Sequence, residues 1–250
     1  MHVTKTAKAI GILALSIASG ACSSEPDVPP DFSAWDVKTY EPYLYATNTY
    51  EAYGVNNTDD WTAYLHKVTY QSDTESVKTI RQRLGWLDYD GYGLHLGPYG
   101  RGKQIGTGVK VLPDEVYLYW ESYNYTKYIT VLAVTEDMKT VMRTPHPHFL
   151  GWDEPCYQTT FSFGLLPDGR AKVWLEGCMI YTYVGEFEAE ASKPRDDVPE
   201  DTVSALHAKT LGVEIEPIPW DKVNKDVLYD KNRFTMNTLE EALNESKRDH

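Results

Sequence analysis

CYQTTFSFGLLPDGRAKVWLEGCM, running from Cys156 to Met179, is the stretch whose reading decides the fold. Pro167-Asp168-Gly169 separates two runs rich in aromatic and apolar residues, and turn residues flanked in this way signal a β-hairpin. Side chains alternate between the two faces of a strand. Phe161, Phe163 and Leu165 therefore share a face with Ala171, Val173 and Leu175, while Thr160, Ser162, Arg170, Lys172, Trp174 and Glu176 take the other. The pattern predicts a ribbon with one dry face and one wet face.

Keeping both apolar sets together fixes the parity of the ladder, because a slip by one residue would turn every side chain over. Under that constraint Cys156 falls opposite Cys178 or two residues away. Directly opposed strand residues lie about 4.5–5.5 Å apart at Cα, inside the ~4.4–6.8 Å span that a disulfide tolerates. A bridge is predicted across the hairpin, favoured by the exported compartment argued below. Two unpaired buried thiols are the alternative.

Together with LPDEVYLYWES at 112–122, the hairpin resembles the signature of an uncharacterised family of Gram-negative lipoproteins, classed as a domain of unknown function. In that family a proline-led strand containing Trp-x-Ser precedes a Gly-Leu-x-Pro-x-Gly turn and a Val-Trp-Leu-x-Gly strand. The matching positions are Pro113, Trp120, Ser122, Gly164, Leu165, Pro167, Gly169, Val173, Trp174, Leu175 and Gly177. The likeness spans Trp35 to Ala191, with its specific part in Pro113–Gly177. It implies an exported lipoprotein with a β-rich domain, and it brings no catalytic residues.

The amino terminus reads the same way without the likeness. Lys5 and Lys8 precede an apolar run from Ala9 to Ala18 and then small residues, as in an export signal covering residues 1–21. That run is shorter than the ~20 apolar residues a membrane-spanning helix needs. Ser19-Gly20-Ala21-Cys22 resembles a lipobox, with Ser19 where leucine is usual, and makes Cys22 the predicted lipid-attachment residue. Ser23 after it resembles lipoproteins passed on to the outer membrane, so the predicted location is its periplasmic side. An ordinary soluble periplasmic protein is the alternative.

Charge narrows the partners. The chain carries 24 Lys and Arg against 37 Asp and Glu, a net charge of −13; losing residues 1–21 leaves 22 against 37, or −15. Such a surface repels phosphate backbones and anionic head groups, so nucleic acid is excluded as a partner class. Membrane attachment then depends on acyl chains rather than on surface charge. The acidity fits either a basic partner or plain solubility.

Length and composition predict one domain with extensions. A content of 13% aromatic residues, including 19 tyrosines, favours strands over helices. Residues 22–33 read as a lipidated start and proline-rich tether, 34–191 as a β-rich domain, and 192–250 as an extension with short helices. The strands expected in succession are Val109–Glu121, Lys127–Val134, Phe161–Leu165, Ala171–Met179 and Tyr181–Ala189, an antiparallel meander or sandwich with one buried face. On the first of them Val116, Leu118 and Trp120 oppose Tyr117, Tyr119 and Glu121. Ser76–Leu87 fits a short helix or an edge strand. Near the end, Thr238 followed by Glu241, or Asn237 followed by Glu240, would form a capping box.

Chemistry was sought in spacing. Gly91–Gly108 holds seven glycines, yet no Gly-Lys-Ser/Thr closes a phosphate loop and the following segment is strand-like. Gly-x-Ser-x-Gly and His-Glu-x-x-His do not occur. His146-Pro147-His148 with Asp153-Glu154 is the nearest approach to a metal set but lacks a defined third ligand, and a rigid surface loop accounts for it equally well. No metal, no cofactor and no catalytic residue are assigned. Binding is easier to motivate, because a large aromatic on the wet face, Trp174, stands near Arg170 and Lys172, as interface anchors do. Burial of Trp174 under a second layer, such as the carboxy-terminal tail, is the alternative. The expected function is a non-enzymatic lipoprotein binding a protein partner, in its sharpest form an immunity-type inhibitor of a toxin delivered to the periplasm. A carbohydrate- or peptidoglycan-binding module and a hydrolase with an unrecognised site are the other readings.

Overall fold

The computed structural model describes residues 28–67, 76–97 and 101–248. Cys22, the export-signal reading of residues 1–21 and the first part of the tether lie outside the described residues. In chain order the elements are β1 (Asp36–Tyr40), β2 (Asn48–Asn56), β3 (Trp61–Tyr64), α1 (Val77–Leu84), β4 (Leu94–His95), β5 (Arg101–Lys103), β6 (Glu115–Glu121), β7 (Lys127–Ala133) and α2 (Glu136–Arg143). There follow β8 (Thr160–Leu165), β9 (Ala171–Gly177), β10 (Ile180–Phe187), β11 (Ala191–Lys193), α3 (Val203–Leu211), α4 (Trp220–Val223), β12 (Val227–Leu228), β13 (Thr235–Thr238) and α5 (Leu239–Ser246).

The protein is mainly β, with a few short helices, and forms one domain. Two sheets make a sandwich: a six-stranded sheet in the order β13-β10-β9-β8-β1-β5 and a five-stranded sheet in the order β11-β7-β6-β2-β3. The central hairpin pairs Phe161 with Leu175 and Phe163 with Val173, the parity expected from its apolar residues. Its turn needs glycine. Gly169 has φ of +98°, and a Cβ there would lie 2.2 Å from the Tyr128 ring of the opposite sheet. Between the sheets lie Val37, Phe161, Phe163, Val173 and Leu175 from one side and Ala52, Val116, Leu118, Trp120 and Leu132 from the other, with Met138, Val141 and Met142 of α2. Trp35 reaches into this layer against Gly54, where a Cβ would meet its ring at 2.5 Å.

The single meander is corrected. Thr135 caps α2 with its side chain, and the helix with the loop after it carries the chain from the five-stranded sheet to the six-stranded one between β7 and β8. The larger sheet is also mixed, because β1 runs parallel to β8 and β13 parallel to β10. Nor are the helices confined to the carboxy terminus. Ser76–Leu87 resolves as α1, with Ser76 accepting from the Thr79 amide and Gly85 closing it in the left-handed region. At α5 the Thr238 and Glu241 pair forms the capping box.

Cys156 and Cys178 are bridged, with Cα atoms 5.5 Å apart. Cys178 and Met179, at φ of 54° and 62°, form the two-residue turn between β9 and β10, so the ninth strand stops at Gly177 rather than Met179. The bridge pins that turn to Cys156. There His146 and Cys156 exchange both backbone hydrogen bonds, at 2.8 and 2.9 Å.

Candidate functional site

The face expected to be wet is covered. Trp174 is 1% exposed, and Thr160, Ser162 and Glu176 beside it are buried as well. Residues far along the chain supply the cover: Leu94, Leu96, Val227, Phe234 and Met236 pack over Tyr40, Trp174 and Tyr181. Trp174 is thus no exposed anchor, and the alternative reading of a covering tail holds. Lys172 donates its ammonium to the Asn224 carbonyl, and burial lowers its pKa. Arg170 pairs with Asp168 at 2.6 Å and with Glu186, and its guanidinium lies 5.0 Å from the Trp220 ring centre. The three predicted residues therefore meet the chain's own carboxy-terminal segment. Lys172 and Trp174 line a cavity of about 350 Å³ with Tyr183, Val227, Met236 and Asn237.

Beneath that cover the carboxylates and hydroxyls of β1, β8 and β9 bond to one another, whereas the buried Trp174 indole nitrogen has no hydrogen-bond partner among the described residues. The Glu176 carboxylate accepts from the Tyr40 hydroxyl and the Ser162 hydroxyl, each at 2.7 Å, and from the Lys38 ammonium. Asp36 accepts from Thr160 at 2.6 Å and pairs with Arg101 at 2.6 Å, while burial raises its pKa. A Lys, a Glu and a Ser in one place invite a catalytic reading. Their partners are each other, however, in a layer closed on both sides, and the arrangement joins β1, β8 and β9. His95 is fully buried beneath the same cover, and desolvation, with the nearby Arg83 charge, lowers its pKa to about 3.

The histidines of the loop do not assemble a metal centre. His146 lies at the loop base near Gln158, and the His148 ring stacks with Phe149 and Trp152 at 4.8 and 4.4 Å. Among the described residues, no three His, Cys, Asp or Glu side chains gather as ligands.

The outer face of the five-stranded sheet is different, because none of the described residues packs as a layer over it. Across β3, β2 and β6 the rings of Tyr64, Tyr53 and Tyr117 form a row: Tyr53 and Tyr117 stack at 4.8 Å and 7°, and Tyr64 follows at 5.5 Å. Tyr64 is 51% exposed. One ladder step away, Tyr50 and Tyr119 stand 5.5 Å apart. Glutamates punctuate this surface. Tyr117 donates to Glu115 at 2.8 Å and Tyr50 donates to Glu121 at 2.7 Å. The hydrogen bond to Glu115, followed by partial burial, raises the Tyr117 pKa; partial burial and then the Glu51 charge raise that of Tyr53. The Tyr53 and Tyr117 hydroxyls therefore stay protonated at neutral pH, as donors on an aromatic plane.

At one end of this face a cleft of about 660 Å³ is lined by Tyr50, Glu121, Tyr125, Lys127, Lys193 and Arg195. Lys127 lies 5.7 Å from the Tyr50 ring centre, and the Arg195 guanidinium 5.1 Å from that of Tyr125. Arg195 is also paired with Asp197 at 2.7 Å.

Half of the tyrosine face was visible in the sequence, where Tyr117 and Tyr119 oppose the apolar residues of their strand. Tyr53 was not. A bulge between Thr49 and Glu51 breaks the alternation of β2, so that Thr49 and Ala52 both point inward.

A family model described as a protein of unknown function, DUF2931, matches residues 23–221. The chain belongs to DUF2931. The DUF2931 match takes in the whole tyrosine face and the central hairpin, whereas β12, β13 and α5 follow its end. No curated protein and no solved structure matches the chain.

Proposed function

We propose that this chain is a non-enzymatic binding protein whose working surface is the tyrosine face, and that its partner is a protein presenting basic residues. One observation carries the reading: five tyrosines, of which Tyr50 and Tyr64 are 39% and 51% exposed, stand on a sheet face that no other described residues cover as a layer. Tyrosine offers large, stiff contact area at small entropic cost and is enriched among residues that dominate binding energy. Charge selects the partner's sign. Glu51, Glu115 and Glu121 lie among the rings, on a chain of net charge −13. In its full form the reading places the protein on the periplasmic side of the outer membrane, anchored through lipid at Cys22, as an immunity-type inhibitor of a toxin delivered to the periplasm.

The test compares wild type with a Tyr53→Ala, Tyr117→Ala double variant. Co-purification with the product of a neighbouring toxin-like gene should weaken at least ~30-fold, the loss typical of a central aromatic pair. An unchanged affinity, or a wild type that retains no stoichiometric protein, would sink the proposal.

The cleft favours a second reading. Tyr50 and Tyr125 beside Lys127, Lys193 and Arg195 could stack on sugar rings and pair with their carboxylates, as in a peptidoglycan-binding module. Retention on purified cell wall, abolished by Tyr50→Ala and Tyr125→Ala, would select it over the first.

A further inference from the structure

Loop 147–155 stands out from the rest of the surface. Phe149, Leu150 and Trp152 are 52%, 57% and 59% exposed within four consecutive positions. The loop is nevertheless braced at its base. His146 and Cys156 close its base with two backbone hydrogen bonds, and Cys156 is bridged to the turn after β9. At the tip, the Gly151 amide donates to the His148 carbonyl at 2.8 Å and the Leu150 amide to the His148 ring nitrogen at 3.2 Å. His148 stacks with both Phe149 and Trp152. Three apolar side chains are thus displayed on a stapled support, so little ordering remains to be lost when something receives them.

The start of the described chain lies near the base of this loop. Phe32 packs edge-on against Tyr157 at 5.3 Å, and the Ser33 hydroxyl donates to Thr159 at 3.3 Å. Tyr157 follows Cys156 directly, so Phe32 and Ser33 lie beside the base of the apolar loop. Cys22 lies ten residues before Phe32, a span of at most ~36 Å even when fully extended. A lipid on Cys22 would therefore hold this end of the molecule against the bilayer.

We propose that the His148–Trp152 tip is a second membrane contact, seating Phe149, Leu150 and Trp152 in the interfacial layer of the bilayer to which Cys22 is tethered. The inference rests on the lipid-anchor reading of Cys22. Tryptophan and phenylalanine suit that layer. Asp153 and Glu154 beside the tip, and the acidic chain as a whole, remove any attraction to anionic head groups, so the contact is apolar and indifferent to salt. It would fix the orientation in which the anchored domain meets its partner.

Of the three cysteines, Cys22 alone lies outside the disulfide, so a chain beginning at Cys22 can be coupled through that thiol to maleimide-bearing lipid in phosphatidylcholine vesicles. This chain keeps every described residue. Vesicles with brominated acyl chains should quench the tryptophan emission of the coupled protein. Trp152→Phe should remove more than half of that quenching, and Phe149→Ser with Leu150→Ser should halve it with Trp152 in place. Equal quenching in wild type and Trp152→Phe, or none in either, would overturn the proposal. So would a loss of protein-partner affinity in Phe149→Ser without any lipid quenching, which would assign the tip to a protein. Mass spectrometry of Cys22 from native envelopes tests the anchor separately: an unacylated cysteine would remove the premise, while the coupled vesicles report on the tip alone.

Discussion

The outer faces of the two sheets carry similar residues and meet opposite fates. On the six-stranded sheet Tyr40, Trp174 and Tyr181 mix with Lys38, Glu176 and Asp36 under a second layer. On the five-stranded sheet Tyr53, Tyr64 and Tyr117 mix with Glu51 and Glu115 and remain open. The difference lies in how charge is matched. Under the cover each acid has a cation: Glu176 has Lys38 and Asp36 has Arg101. On the open face Glu51 lies opposite Tyr119 and Glu115 lies between Val55 and Ala133, neither with a cation across the ladder, while Glu121 at the cleft end has Lys127 opposite it. Desolvation explains the contrast, because a carboxylate taken out of water is costly unless it is paired. An unmatched glutamate is compatible only with a face that stays solvated or that waits for an external cation.

The widest test of this contrast is Trp174→Ala. Truncating a large, fully buried aromatic removes its burial and leaves a cavity, a loss of about 3–5 kcal/mol. The urea midpoint of the whole domain should fall accordingly. A loss under about 1 kcal/mol would mean that the layer formed by β4, β12 and the segment leading into β13 is not part of the cooperative unit, and the two faces would then differ far less than they do here.

Charge matching is tested next. Glu176→Gln leaves the Lys38 ammonium, which is largely buried, without a counter-charge and should cost about 3 kcal/mol. Replacing Lys38 by Met as well should recover part of that loss, since both charges then disappear from the layer. Glu115→Gln on the open sheet should stay within about 0.5 kcal/mol of wild type, because water already solvates that carboxylate. If the two glutamine variants lose equal stability in chemical denaturation, matching does not distinguish covered from open faces.

What the sequence disclosed follows the range of the interactions involved. The hairpin, its parity and the Cys156–Cys178 pair were legible because they depend on residues close in the chain and on the period of a strand. The cover over Trp174 was not, since Asn224, Val227 and Met236 arrive about 50 or more residues later and no local pattern announces where a tail will lie. The pairing of β1 with β8 was equally hidden: Asp36 meets Thr160 across 124 positions, in a parallel ladder with no hairpin to signal it. The exposure of Trp174 was misjudged for the same reason. Arg170, Lys172 and Trp174 looked like an exposed anchor set because a wet face and a face awaiting its cover have the same alternation. Gly169, at the turn of the hairpin, makes a close contact with Tyr128 that explains a glycine there on packing grounds alone.

The smallest expected change is the most informative about function. Tyr53 and Tyr117 stack face to face, and such a pair contributes about 0.5–1.5 kcal/mol beyond burial when fully engaged. On an open sheet face part of that is lost to solvent. Tyr53→Ala and Tyr117→Ala should therefore each cost about 1 kcal/mol or less, with a coupling of a few tenths in a double-mutant cycle; Tyr64→Ala, at the edge of the row, should cost less still. Stability so weakly dependent on three tyrosines would leave them available for a partner, whose binding should depend on them strongly. If Tyr53→Ala instead destabilises the protein as much as Trp174→Ala, the face is covered in solution. Concentration-dependent unfolding would then identify a second copy of the chain as the cover, since a dimer gains stability with concentration and a monomer does not.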